Sequence, residues 1–211
     1  MTKTSWPEIL KKSAELFSRK GYGATTLEDI ARELGITKPT LYHYIETKSD
    51  LLYCICDQAV SRLLDRAREI QASDMEAEEK LGELIRLHLS LFSEYGDFAS
   101  VFFAEEKELP ERQRARIRSL SREYERILRA TLRQAVEEGV FREMDVPMTA
   151  RIISGMCNWL PAWYKRSGPL STDEIASMFL EFVVRACERR PEDEAGGKDK
   201  QRTKSGGRER R

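Results

Sequence analysis

The chain has 211 residues, with 36 Lys+Arg against 36 Asp+Glu, so its formal net charge is zero and its charged fraction is 34%. The longest uncharged run, over 152–164, contains Asn158 and Pro161 and falls short of the roughly 20 apolar residues of a membrane helix, which excludes a helical membrane protein. Neutrality does not exclude a nucleic-acid partner, because residues 1–48 carry a net +2, residues 49–190 a net −4 and residues 191–211 a net +2.

In chain order, nearly every periodic segment reads as helix. Ser5 and Glu8 form a capping box for a first helix with Ile9, Leu10, Ala14, Leu16 and Phe17 inward, stopped by Gly21 and Gly23. Thr25 with Glu28 opens a second helix, carrying Leu27, Ile30, Ala31 and Leu34, and Gly35 ends it. Thr37 caps a short third helix reaching about Tyr44, with Pro39 in its first turn. Thr47 and Asp50 cap a fourth with Leu51, Leu52, Ile55, Ala59, Leu63 and Ala67 on its face. A fifth spans about 76–95, a sixth 97–104, a seventh 110–138 closed by Gly139, and an eighth 147–165 with a kink expected at Pro161. Ser171 with Glu174 caps a ninth, which ends near Arg190. Strand-like alternation is missing, so the expected fold is all-α. Residues 192–211 hold Ala195 as their one apolar side chain, and a disordered charged tail is expected over 191–211. The expected domains are 1–48, 49–190 and that tail.

Cys54, Cys56, Cys157 and Cys187 show no C-x-x-C spacing, and His43 and His88 lie far apart. Neither a zinc site nor a disulfide framework is expected. The N-terminus begins Met1-Thr2-Lys3 without an apolar signal core, so a reduced, cytoplasmic protein is expected.

Helices two and three, joined by a turn at Gly35, have the proportions of a helix-turn-helix. Helix three offers Leu41 alone to a core, which leaves Thr37, Lys38, Thr40, Tyr42 and His43 for phosphates and base edges. Lys48 opens the next helix, within reach of a phosphate. The segment from Ala14-Glu15-Leu16-Phe17 through Gly21-Tyr22, Thr25-Thr26-Leu27, Ile30-Ala31 and Leu34-Gly35-Ile36-Thr37-Lys38-Pro39-Thr40-Leu41-Tyr42-His43-Tyr44-Ile45 to Lys48 and Leu51 resembles the N-terminal domain of the TetR family of bacterial transcriptional repressors. It departs from the usual pattern at Ile45, where an aromatic is common. The resemblance implies a helical homodimer in the bacterial cytoplasm, associated with the nucleoid, with a small DNA-binding head and a larger domain for a small-molecule effector. It also implies DNA contacts by Thr26, Thr37, Lys38, Thr40, Tyr42, His43 and Lys48, with Tyr42 and Lys48 on the backbone and Lys38 and His43 on bases.

The rest of the chain shows no G-x-S-x-G, H-E-x-x-H or Walker loop, so an enzyme is not expected, nor a cofactor; a helical interaction module without DNA binding is the other alternative class. In a sensor of this kind the expected cavity residues are Leu84, His88, Leu91, Phe92, Phe102, Tyr124, Leu128, Met156, Trp159 and Trp163. His88 reads first as a core or pocket histidine with a satisfied hydrogen bond, ahead of a ligand-binding role. Trp159 and Trp163 read either as cavity lining or as core and interface. The expected dimer interface is Ile153, Leu160, Ile175, Met178, Phe179 and Phe182. Arg118, Arg122, Arg126, Arg129 and Arg133 fall within an arc of about 80°. That stripe is most simply a solvated face; the sharper reading is an anion site at the cavity mouth. Finally, Gly155-Met156-Cys157-Asn158-Trp159, Trp163-Tyr164 and Gly168-Pro169-Leu170-Ser171 are similar to the last helices of TetR regulators of fatty-acid and steroid catabolism. That resemblance implies an acyl-CoA effector; a drug-like or aromatic compound is the alternative.

Overall fold

The computed structural model describes residues 4–165 and 167–189. Among them are nine α-helices: α1 Trp6–Lys20, α2 Leu27–Glu33, α3 Lys38–Tyr42, α4 Lys48–Ala72, α5 Ala77–Glu94, α6 Gly96–Glu105, α7 Glu111–Glu137, α8 Val146–Asn158 and α9 Thr172–Cys187. No strand occurs among the described residues; one isolated bridge pairs Phe141 with Glu188. The expected tail at 191–211 and the expected end of the last helix at Arg190 lie outside the described residues.

Three helices start where sequence chemistry places them. Thr37 accepts the Thr40 amide, and Thr47 with Asp50 and Ser171 with Glu174 form reciprocal capping boxes. Two starts differ. Ser5 stands at the N-cap of α1 without a side-chain bond. The box of α2 uses Thr26 and Asp29: Asp29 N–H donates to Thr26 Oγ1 at 3.1 Å, and its carboxylate accepts the Thr26 amide at 3.0 Å. The Thr26 amide, and the Thr26 hydroxyl that also donates to this carboxylate, hold the Asp29 carboxyl down at about 2. Thr25 is buried instead, its hydroxyl donating to the Gly21 carbonyl at 2.9 Å. Of two adjacent threonines, the one turned inward spends its hydroxyl on the preceding turn and cannot cap.

α8 ends at Asn158, well before the expected 165, and a 3₁₀ turn follows at Leu160–Ala162. Pro161 has no N–H for the Cys157 carbonyl, so the expected kink is a full stop. Trp159 and Trp163 therefore leave the α8 axis.

One hydrophobic core runs from the head into the body. Phe17, Ile30 and Leu41 bury in the head, and Leu51, Ile55 and Leu64 of α4 continue the same cluster toward Leu84 of α5 and Leu132 of α7. At Gly82 a Cβ would stand 2.9 Å from Leu180 Cδ2, so glycine lets α9 lie close on α5. α5 also meets α4, α7 and α8, which makes it the central post of the body. No helix among the described residues is long and apolar enough to cross a membrane.

Candidate DNA interface and ligand cavity

α3 is pinned by one fully buried side chain, Leu41. Around it Thr37, Tyr42 and His43 are exposed, and Lys38 and Thr40 are half-exposed. Lys38 Nζ donates to Glu28 Oε1 of α2 at 2.7 Å, so its ammonium is held across the gap between the two helices. Thr26 is exposed at the start of α2, and its hydroxyl caps that helix. Tyr44 belongs to the fold: its hydroxyl donates to the Thr4 carbonyl at 2.9 Å, and its ring stacks on Trp6.

Lys48 differs from its expected free reach. Its ammonium donates to the carbonyls of Tyr22 at 2.8 Å and Thr25 at 2.9 Å and sits 4.2 Å from the Tyr22 ring centroid. It fastens α4 to the turn between α1 and α2, and one of its three N–H groups remains for a phosphate. The Tyr22 amide in turn donates to Glu105 Oε1, at the end of α6, at 3.0 Å. Ser49 of α4 donates to Gln113 of α7 at 3.2 Å. The head is thus hydrogen-bonded to α6, and the first turn of α4 to α7.

A cavity of about 580 Å³ opens among α4, α5, α6, α7 and α8. Ala59, Val60, Leu63, Leu91, Ala99 and Phe102 give it an apolar wall. His88 and Tyr124 enter that wall from the buried side, at 5% and 6% exposure. Arg118, Arg122 and Arg151 line it from exposed positions, and Glu106 and Glu125 line it too. Of the expected lining residues, His88, Leu91, Phe102 and Tyr124 lie on the cavity and the other six do not. Leu84 and Leu128 are buried in the core. Phe92 stacks on Phe103, which itself reaches the wall. Met156 packs half-buried against the core, while Trp159 and Trp163 are outside at 68% and 47% exposure.

The chain matches a family model described as "Tetracyclin repressor-like, C-terminal domain" over residues 74–187, which is more than half its length. A second model, "Bacterial regulatory proteins, tetR family", matches residues 9–53. The chain belongs to the tetR family of bacterial regulatory proteins. Its relatives include the HTH-type transcriptional repressor KstR2 of Rhodococcus jostii, 27% identical over 179 residues, covering 84% of this chain and 88% of the relative. The tetR-family regulator PfmR from Thermus thermophilus has a similar structure, at a TM-score of 0.81 and 34% identity over 86% of this chain and 99% of the other. AibR, solved in complex with isovaleryl coenzyme A and operator DNA, aligns at a TM-score of 0.76 and 25% identity, covering 83% and 96%.

In this tetR-family chain, α8 divides into three strips. Ala150, Ile153 and Cys157 face the core; Arg151, Ser154, Gly155 and Asn158 face the cavity; Met148 and Ile152 face outward. The expected interface residues Ile153, Leu160 and Ile175 are therefore core residues of one protomer, each nearly or fully buried. Phe179 is half-buried, and Met178 and Phe182 of α9 stand exposed, Phe182 at 63%. Sequence reasoning missed Asn158, Ser154 and Arg151 as cavity residues. Their spacing of three and four was the available signal, but the adjacent aromatic stripe drew the assignment. The arginine stripe of α7 is divided too: Arg118 and Arg122 reach the cavity, whereas Arg129 pairs with Glu125 at 2.5 Å.

Cys56, Cys157 and Cys187 are buried and Cys54 is half-buried; all four are free thiols. Burial pushes the Cys56 and Cys157 thiols up to about 12, so neither is a nucleophile at neutral pH. No group of three His, Cys, Asp or Glu side chains among the described residues could hold a metal.

Proposed function

We propose that this protein is a ligand-responsive repressor, a homodimer in the bacterial cytoplasm, released from its operator by an acyl-CoA thioester. One observation carries the choice of effector: an apolar cavity of about 580 Å³ whose exposed side bears Arg118, Arg122 and Arg151. An acyl chain matches the wall, and guanidinium groups match the phosphates of the CoA arm. AibR, of the same fold, was solved with an acyl-CoA and DNA together, which supports the class without naming this chain's ligand.

The exposure of α3 and of the start of α2 supports the DNA-facing roles. Lys38 and His43 read base edges, Tyr42 and the remaining N–H of Lys48 hold phosphates, and Thr26, Thr37 and Thr40 frame the contact while capping α2 and α3. Lys38 exchanges Glu28 for a base on binding. The exposed apolar residues Met148 and Ile152 of α8, Trp159 just after it, and Met178 and Phe182 of α9 become covered in a dimer, since large apolar side chains left in solvent favour burial at an interface. Effector binding then selects a head spacing that no longer fits two successive major grooves.

A drug-like aromatic cation is the second reading, favoured by Glu106 and Glu125 in the wall beside Phe102 and Phe103. Thermal-shift titration of the full chain separates the two. Acyl-CoAs of graded length raise the melting temperature on the first reading, and Arg122→Glu abolishes the rise. A rise with aromatic cations and none with thioesters would replace the first reading with the second.

A further inference from the structure

α2 carries two adjacent carboxylates that are engaged differently. Asp29 is spent inside the head: it accepts from the Thr26 amide and hydroxyl, and it pairs with Arg32 and, at 3.7 Å, with Lys20. Glu28, one residue earlier, is exposed, and the Lys38 ammonium at 2.7 Å is its one ion-pair partner among the described residues. Lys38 pairs with no other carboxylate there. An exposed pair of this kind adds little to stability. α2 and α3 do not need it, because Ile30, Ala31 and Leu41 are already buried in one cluster. What sets the pair apart is its place.

Lys38 is the first residue of α3, and the N-terminal end of a recognition helix is the part that meets base edges. A carboxylate oxygen 2.7 Å from its ammonium stands at the same spot. When Lys38 turns to a base, Glu28 loses its cation beside a polyanion and needs a donor in exchange. Phosphates offer none. In the major groove the base donors are the amino groups of cytosine and adenine. The adenine amino group lies beside N7, an acceptor that repels a carboxylate. The cytosine amino group is paired with guanine O6, and O6 and N7 are the atoms a lysine takes. That amino nitrogen and O6 are hydrogen-bonded to each other, about 2.9 Å apart. Lys38 Nζ and Glu28 Oε1 are 2.7 Å apart, so the two side chains complement the edge of one G·C pair.

We infer that Glu28 is a specificity-determining residue of the DNA interface: its carboxylate accepts from a cytosine amino group while Lys38 donates to the guanine of the same pair. The first helix of the helix-turn-helix thereby takes part in base reading. This inference rests on the base-reading role proposed for Lys38 and narrows it to one kind of base pair.

The test is selection of duplexes from a random pool by the full-length protein, with wild type, Glu28→Ala, Glu28→Gln and Lys38→Ala run in parallel. Fluorescence anisotropy then compares the selected duplex with its single-pair variants. The wild-type protein is expected to require a G·C pair whose replacement weakens binding at least about fivefold. Glu28→Ala should cut that discrimination at least threefold and leave the other positions as they were. Glu28→Gln should move the preference at the cytosine toward adenine, since an amide both donates and accepts. Lys38→Ala should relax the same pair. Unaltered base preferences in Glu28→Ala and Glu28→Gln would overturn the inference and leave the role of Lys38 standing. Uniformly tighter binding would then mark Glu28 as a phosphate repellent, and uniformly weaker binding as a clamp between α2 and α3. Relaxation by Glu28→Ala at a different pair from Lys38→Ala would also overturn it. No sequence preference in the wild-type protein, or none lost in Lys38→Ala, would overturn both readings.

Discussion

His88 gives the sensor body a pH signature. Its imidazole is buried, and burial lowers its pKa from 6.5 to about 4. The unfolded chain therefore binds more protons than the native one between these values, so native stability falls as pH drops from about 6.5 toward 4. At about 1.4 kcal/mol per unit, the loss approaches roughly 3 kcal/mol at the acid end. Denaturant midpoints compared at pH 5 and pH 7.5 should show this loss, and His88→Gln should remove most of the difference. An unchanged pH dependence in His88→Gln would mean that the imidazole is solvated. Lys48 shows where residue-level reading stops. A lysine opening a helix beside a DNA-reading element points to phosphate, but the carbonyls of Tyr22 and Thr25 that hold it come from a turn over 20 residues away. Helical periodicity carries no information about such a meeting.

At the scale of elements, α6 joins the two halves of the proposed mechanism. Ala99, Phe102 and Phe103 of this helix line the cavity, and Glu105, its last residue, accepts the Tyr22 amide of the head. A ligand that shifts α6 against α4 therefore pulls on the turn that Lys48 also grips. Glu105→Ala should leave operator affinity without effector within about threefold, yet reduce effector-driven release by at least about fivefold, the low end of typical allosteric coupling. Gel shifts with and without effector read both quantities, and undiminished release would place the coupling elsewhere. Much of this level was legible in the sequence. Most helix starts and the short α3 follow from caps, proline and apolar spacing. The cavity was less legible, because its wall is assembled from five helices. Leu84 and Leu128 share helix faces with His88 and Tyr124 but point past the cavity into the core. The arginine stripe was judged against the core face of α7 alone, whereas α6 and α8 supply the rest of the mouth.

At the scale of the whole molecule, several large apolar side chains stand in solvent, and the proposed dimer would cover them. Phe182, Met178, Trp159 and Ile152 are each more than half exposed. Side chains of this size each contribute about 1.5–3 kcal/mol when buried. Phe182→Glu should shift the sedimentation coefficient from dimer to monomer while the helical circular-dichroism signal is kept, and it should weaken operator binding by removing the second half-site. A wild-type protein sedimenting only as a monomer would remove the two-half-site mechanism. The central claim, that filling the cavity releases DNA, is tested most directly by fluorescence anisotropy. The probe is a labelled DNA duplex selected by the protein from a random pool, titrated with protein at fixed salt with and without decanoyl-CoA. The account predicts at least about a fivefold weaker complex with the thioester present, and no such weakening for Arg122→Glu, whose DNA affinity without effector is unchanged. Equal affinity of the wild-type protein for the duplex with and without thioesters that demonstrably bind it would contradict the account.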